Sequence, residues 1–182
     1  MQISHSHLIL DACCIFNFCA SGHFLDILKT ISAQVAVSKV VLERELKTLP
    51  SIEDEESGYV QFDSAIAGKS LIIVDFDSEE EEISFVNYVF ELGDDGESAT
   101  CAIAMNRGWA IATDDKKAIS CFQEQAPHLQ ILSTPEIIRS WSEETGLDSS
   151  TLRDVLHAIR VKGHYVPPKH HPLQSWWETA MK

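Results

Sequence analysis

The stretch His7-Leu8-Ile9-Leu10-Asp11 decides the fold, because it is a short apolar run that stops at a carboxylate. A run of four to eight apolar residues with polar boundaries is typical of a buried strand. Similar short runs recur at residues 35–37, 71–74, 109–112 and 129–132. Segments with apolar residues at helical spacing lie between them. The chain is therefore expected to alternate strands with helices.

This alternation predicts an α/β fold, a three-layer sandwich with a mainly parallel central sheet, because parallel strands need crossover helices that cover both faces. We expect residues 1–133 to form that domain and residues 134–182 to form a C-terminal helical extension packed on it. Residues 39–49 are expected to form the helix after the second strand. Residues 97–107 are expected to form the helix before the fourth, and Thr134 is expected to cap the first helix of the extension.

The composition is that of an ordinary soluble protein: 182 residues, 45% apolar and 23% charged. The formal net charge of −14 argues against a general nucleic-acid coat, which needs a cationic surface. The start of the sequence lacks the pattern of a secretory signal, and no apolar run approaches the length of a membrane span, so a cytoplasmic protein without membrane association is expected. The five cysteines include no CxxC pair, which favours reduced core thiols.

Acidic residues stand where the predicted strands and helices begin or end. In parallel sheets, functional groups collect beyond the carboxyl ends of the strands. Carboxylates held close together repel one another, so such a cluster persists only if cations neutralise it or some members stay protonated. Hard oxygen ligands favour Mg²⁺ or Mn²⁺. Six residues are candidates for this site: Asp11, Glu43, Glu45, Glu97, Asp114 and Asp115.

Three segments resemble the motifs of PIN-domain nucleases, and the resemblance covers about residues 7–133. The first is LDACCIFN at residues 10–17, followed by Ala20-Ser21-Gly22. The second is GESATCAIAM at residues 96–105, and the third is IATDDKKA at residues 111–118. The two later segments follow one another in the order and spacing of the family, and together they are the more specific part of the resemblance.

The resemblance implies a set of metal ligands for Mg²⁺ or Mn²⁺. Asp11, Glu97 and one of Asp114 or Asp115 would hold the metal. The sequence does not choose between the two adjacent aspartates, since both follow the fourth strand directly.

The remaining acid of the family would lie on the helix after the second strand. Glu43 and Glu45 flank the expected position, and Glu43 is slightly preferred. Asn17 would be a polar group near the substrate. Lys116 is one of the isolated cations that an RNA strand would meet beside the acids.

By the same resemblance, the protein would be a metal-dependent endoribonuclease that hydrolyses single-stranded RNA. Many such proteins are the toxins of VapC-type toxin–antitoxin pairs and dimerise, so a small antitoxin and a homodimer are implied. The alternative is a catalytically inactive PIN-like module that binds other proteins. The extension has two interpretations as well: its helices cover a sheet edge or build a dimer, or its basic tail guides RNA toward the acids.

Overall fold

The computed structural model describes residues 2–46 and 58–182. At its centre lies one sheet of five strands, all parallel, in the order β3-β2-β1-β4-β5. The α/β class and the parallel sheet expected from the sequence are confirmed. The strands are β1 (His7–Leu10), β2 (Gln34–Ser38), β3 (Leu71–Val74), β4 (Ala110–Ala112) and β5 (Ile131–Leu132).

Helices connect the strands and continue after the last of them. No helix in the described ranges is both long and apolar enough to cross a membrane. The helices are α1 (Ala12–Ser21), α2 (Phe24–Lys29), α3 (Lys39–Arg44), α4 (Gly58–Ala67), α5 (Glu79–Leu92), α6 (Asp95–Arg107), α7 (Lys116–Gln125), α8 (Thr134–Thr145), α9 (Ser149–Lys162) and α10 (Gln174–Ala180).

The sheet separates two cores, because successive side chains of a strand point to opposite faces. Leu8 and Leu10 of β1 pack in the larger core, which contains α1, α2, α8 and α9. Ile9 of β1 and Ile111 of β4 pack in the smaller core, with α5, α6 and α7. The three layers predicted from the alternation of strands and helices are therefore present.

The C-terminal extension contributes directly to the larger core. Trp141 of α8, Leu156 of α9 and Trp177 of α10 are all buried there, in the same cluster as Ile15 and Phe18 of α1. Burying a large apolar side chain contributes roughly 1.5–3 kcal/mol. The extension is thus part of what stabilises the layer that covers β1.

Three helices differ from their expected bounds. The first helix of the extension begins at Thr134 and is capped by Ser133, not by Thr134, because Ser133 forms a capping box with Glu136. The helix predicted to begin at Glu97 begins two residues earlier, at Asp95. Asp94 is its N-cap, because the Asp94 carboxylate accepts a hydrogen bond from the Glu97 backbone N–H at 3.0 Å. The helix predicted over residues 39–49 is helical through Arg44. Residues 47–50 lie outside the described ranges. The sequence did not predict α4.

The strand order creates a crevice beside β1. From β1 the chain proceeds outward through β2 to β3, and it then returns to the opposite side of β1 to form β4. Where connections leave in opposite directions, the carboxyl ends of the two strands open a crevice that commonly binds ligands. Here the Asp11 backbone N–H donates to the Ala112 carbonyl at 2.9 Å, which joins the two ends.

Candidate metal centre

Asp11 lies at the carboxyl end of β1, where it caps α1. Its Oδ1 accepts a hydrogen bond from the Ala12 backbone N–H at 2.9 Å. Its Oδ2 accepts from the Thr113 hydroxyl at 2.8 Å and from the Cys13 thiol at 3.3 Å. Burial raises the pKa of Asp11 even though these three hydrogen bonds lower it. The carboxylate is therefore held in one orientation at a costly position for a charge.

Asp115 lies across the crevice, after β4, and caps α7. Its Oδ1 accepts from the backbone N–H groups of Lys117 at 2.7 Å and Ala118 at 2.9 Å. No donor within residues 2–46 or 58–182 bonds to its Oδ2. The Asp115 backbone N–H donates to the Thr113 hydroxyl oxygen at 3.1 Å, and that hydroxyl donates to Asp11. One threonine therefore connects the two acids.

Glu97 lies in the first turn of α6, where the positive end of a helix ordinarily lowers a carboxyl pKa. Instead, the pKa of Glu97 is raised to about 8, first by burial and then by the charges of Asp115, Asp11, Asp94 and Glu45. Burial, together with the crowding of carboxylates, therefore outweighs the helix dipole. These five residues, Asp11, Glu45, Asp94, Glu97 and Asp115, are called the acid cluster below.

Glu45 enters the cluster from α3, which ends beside α6. Burial, then the charges of Asp94 and Asp11, raise the pKa of Glu45 to about 7. Its carboxylate lies against Gly96, so closely that a Cβ at position 96 would overlap with Oε1. The missing side chain of Gly96 is what allows the two helices to bring Glu45 to the site.

Glu43 lies outside the cluster. Its side chain is exposed, and it adds to the effect of Asp75 in raising the pKa of Lys39. The geometry favours Glu45 as the acid supplied by α3, against the slight preference for Glu43 in the sequence. Residues two apart on a helix point in widely different directions, so only one of the two can face the crevice.

Asp114 faces away from its neighbour Asp115 and toward the extension. Its Oδ1 accepts from the Thr134 backbone N–H and from the Tyr165 hydroxyl, both at 3.0 Å. Its Oδ2 accepts from the Thr134 hydroxyl at 2.5 Å and from Asn17 Nδ2 at 3.2 Å. Burial raises the pKa of Asp114 against these four bonds. With both oxygens engaged, Asp114 is placed as a structural anchor, and Asp115 is the aspartate that belongs to the acid cluster.

The two predicted substrate contacts differ in accessibility. Asn17 is buried, and its Nδ2 donates to Asp114 and, at 3.1 Å, to the Thr134 hydroxyl. It is therefore enclosed by protein and does not face the crevice. Lys116 is exposed at the start of α7, directly after Asp115. A strand of phosphates over the cluster would pass this ammonium group.

Asp94 is the member of the cluster that the sequence analysis did not predict. A Gly-flanked aspartate is a common turn former, but this one caps α6 from an exposed position and raises the pKa of Asp11, Glu45 and Glu97. Its position three residues before Glu97 is the usual spacing of an N-cap, and that spacing was the signal available.

The donors of the acid cluster fit a hard divalent cation. In the part of the chain that the structure describes, no lysine or arginine forms an ion pair with Asp11, Glu97 or Asp115, and the nearby Arg44 pairs with Asp95 instead. No three of the described cluster carboxylates have ligand atoms all within 4.8 Å of one another. Three of these carboxylates therefore do not converge on one point, and a hard ion such as Mg²⁺ would take one or two of them directly and keep several waters.

A second group of donors lies deeper. Cys13, Cys14 and Asp114 have ligand atoms within 4.8 Å of one another. Burial raises the pKa of the Cys14 thiol well above its usual range, and metal binding needs the thiolate. Sulfur donors also select softer metals than Mg²⁺ or Mn²⁺. The acid cluster is therefore the better candidate for a hard metal ion.

The fold and the site together define an α/β protein whose carboxylates gather at the switch point of a parallel sheet. No protein-family model matches the chain, and no curated protein sequence matches it. The likeness to PIN-domain nucleases therefore rests on the three segments in the sequence.

Proposed function

We propose that the protein is a divalent-metal-dependent endoribonuclease of the PIN-like type, which cleaves single-stranded RNA. One observation carries the proposal: Asp11, Glu97 and Asp115, with Glu45, come from four separate segments and share one crevice, where burial and then the charges of neighbouring acids raise the pKa values of Glu97 and Glu45. Such an arrangement costs folding free energy unless a cation offsets the charge. A nuclease needs that cation at this position.

Asp11, Glu97 and Asp115 would hold Mg²⁺ or Mn²⁺ between them, one or two by direct ligation and the rest through water, with Glu45 beside them. A bound ion would supply Lewis-acid stabilisation of the scissile phosphate and would lower the pKa of water at the site. The Thr113 hydroxyl keeps Asp11 in orientation and joins it to Asp115. Preorganised groups of this kind reduce the reorganisation needed in the reaction.

The substrate would approach over the exposed rim of the cluster. Lys116 would attract a phosphate next to the cleaved one, since it is exposed and adjoins Asp115. The preference for a single strand, the pairing with a small antitoxin and the homodimer follow from the resemblance of residues 10–17, 96–105 and 111–118 to PIN-domain toxins, and they are part of the same proposal.

Cleavage of a fluorescently labelled single-stranded RNA, with Mn²⁺ and with EDTA, tests the proposal. We expect cleavage in the presence of Mn²⁺ and none in the presence of EDTA. Asp11→Asn and Glu97→Gln should each abolish the Mn²⁺-dependent cleavage. Mn²⁺ titration followed by electron paramagnetic resonance should show weaker binding in the same variants. Glu43→Gln is the matched control, because it removes one exposed charge close in sequence to Glu45, and it should leave both readouts unchanged.

Two results would contradict the proposal. Undiminished cleavage by Asp11→Asn would show that the activity arises elsewhere or from a contaminant. Failure of the wild-type protein to bind Mn²⁺ would favour the second interpretation, a PIN-like module that binds proteins without catalysis.

A further inference from the structure

We infer that the outer face of α5 is a docking surface for a basic, amphipathic segment of another protein. Three large apolar side chains of this helix are exposed: Ile83 by 55%, Val86 by 52% and Phe90 by 88%. They are three and four residues apart, so they form one continuous row on the helix. Contiguous exposed apolar rows with polar borders commonly mark interaction sites. Ile83, Val86 and Phe90 are called the α5 stripe.

The fold does not need the α5 stripe, because the opposite face of the helix already anchors it. The Tyr88 hydroxyl donates to Gln125 Oε1 at 2.8 Å and contacts Met105 Sδ at 2.6 Å. The buried Glu81 carboxylate accepts two hydrogen bonds from Arg107, at 2.6 and 2.9 Å. Within residues 2–46 and 58–182, these contacts explain the inner face of the helix, whereas the stripe stays exposed.

The charges beside the α5 stripe indicate which kind of partner can bind there. The helix contains no lysine or arginine, and its exposed acids flank the stripe: Glu79, Glu80, Glu82 and Glu91. Nucleic acid and anionic lipid surfaces would be repelled by this border. A second copy docked through the same face would place these acids against their own counterparts. A protein segment with apolar side chains between lysines and arginines would pack its apolar side chains on the stripe and pair its cations with the flanking glutamates.

The stripe lies close to the acid cluster along the chain. The helix ends at Leu92, Asp94 caps the next one, and Glu97 follows in its first turn. The C-terminal end of the stripe, at Phe90, therefore lies only a few residues along the chain from the acid cluster. The docking surface is independent of the nuclease assignment, since none of its residues belongs to the cluster.

Fluorescence anisotropy with three labelled synthetic peptides tests the inference on the full chain. One peptide is amphipathic, with leucines at helical spacing and flanking lysines. The second replaces its lysines by glutamates, and the third replaces its leucines by serines. We expect only the first to bind, with an affinity that falls as salt rises. Val86→Ser combined with Phe90→Ser should weaken it by about tenfold or more.

Val161→Ser is the matched control, because Val161 is another exposed valine, 52% accessible, on α9. It should leave the affinity unchanged. Asp11→Asn should also bind the first peptide normally, which separates this surface from the metal site. Equal binding of the leucine-free peptide, or undiminished binding by the double variant, would overturn the inference. So would a wild-type dimer in sedimentation that the double variant dissociates, because the occupant would then be a second copy.

Discussion

The carboxylate of Glu45 lies against the bare Cα of Gly96, in space that any side chain at position 96 would occupy. Gly96 is buried at the second position of α6, directly before Glu97. The contact therefore joins α3 to α6 at the point where each helix supplies an acid. The missing side chain at position 96 leaves room for the Glu45 carboxylate beside Glu97.

Gly96→Ala is expected to displace the Glu45 carboxylate; because that carboxylate is the far end of a flexible side chain, the free energy of unfolding should fall by no more than about 1 kcal/mol. The loss should disappear when Glu45→Ala is introduced as well, because the overlapping carboxylate is then gone. Urea unfolding of the two single variants and the double variant measures this coupling. Additive losses would show that the contact between positions 45 and 96 does not restrict packing.

The raised pKa values of Glu97, about 8, and Glu45, about 7, predict a pH dependence of stability. Both are raised from an ordinary 4.5, so the folded protein binds protons that the unfolded chain has released in this range. The stabilisation from these two protonated acids is therefore complete below about pH 4.5 and is lost as pH rises through about 7 and 8. Both side chains are partly exposed, so solvent screening reduces the effect; in EDTA, we expect the free energy of unfolding to fall by about 2–4 kcal/mol between about pH 5 and pH 8.

Urea unfolding at several pH values measures this decline. Glu97→Gln should make this decline in unfolding free energy smaller, because the amide does not titrate. It should also make the metal-free protein more stable near pH 8. Saturating Mn²⁺ should oppose the decline, since the ion binds the ionised carboxylates. A stability that rises with pH in EDTA would contradict the proposed crowding of the acid cluster.

Thr113→Val tests whether the Thr113 hydroxyl orients Asp11 for metal binding. The change removes the hydroxyl that donates to Asp11 at 2.8 Å and accepts from the Asp115 backbone, while the side-chain volume stays similar. Loss of a group that orients a metal ligand typically costs about 10–100-fold in metal affinity or activity. We expect a decrease of this size in Mn²⁺ affinity. Thr113→Ser keeps the hydroxyl and should remain near wild type; an equal loss in both variants would implicate packing instead.

Tyr165→Phe tests the anchoring role of Asp114. It removes one of the four hydrogen bonds that nitrogen and oxygen donors make to the half-buried Asp114 carboxylate, and an unmet bond of this kind costs about 1–3 kcal/mol. We expect lower stability in urea with unchanged Mn²⁺ affinity. Asp115→Asn should show the reverse: weaker Mn²⁺ binding with little loss of stability. Equal effects of the two variants on Mn²⁺ binding would remove the distinction between the adjacent aspartates.

The sequence predicted the sheet well, because the five short apolar runs are bounded by polar residues and helical segments. β1 and β3 have the expected bounds, and the other three strands fall within or beside their runs. It also placed Asp11 and Glu97 at the correct ends. Whether an acid lies at the end of a strand or the start of a helix can be read from the residues next to it in the sequence.

The orientation of neighbouring acids could not be predicted in the same way. Asp114 and Asp115 follow the same strand, and only the packing of Thr134 and Tyr165 against Asp114 separates their environments. The choice of Glu45 over Glu43 likewise depends on where α6 lies. Those contacts join residues far apart in the chain, and no local pattern reports them.

The central position of β1 has a consequence for biosynthesis. Its neighbour β4 lies about a hundred residues later, and Thr113 is separated by 102 residues from the Asp11 carboxylate that it supports. During synthesis, β1 cannot pair with β4 until β4 has left the ribosome, and pairings between such distant segments form slowly. A nascent chain that ends before Thr113 cannot assemble the crevice, so any activity of the site begins only when translation is well advanced.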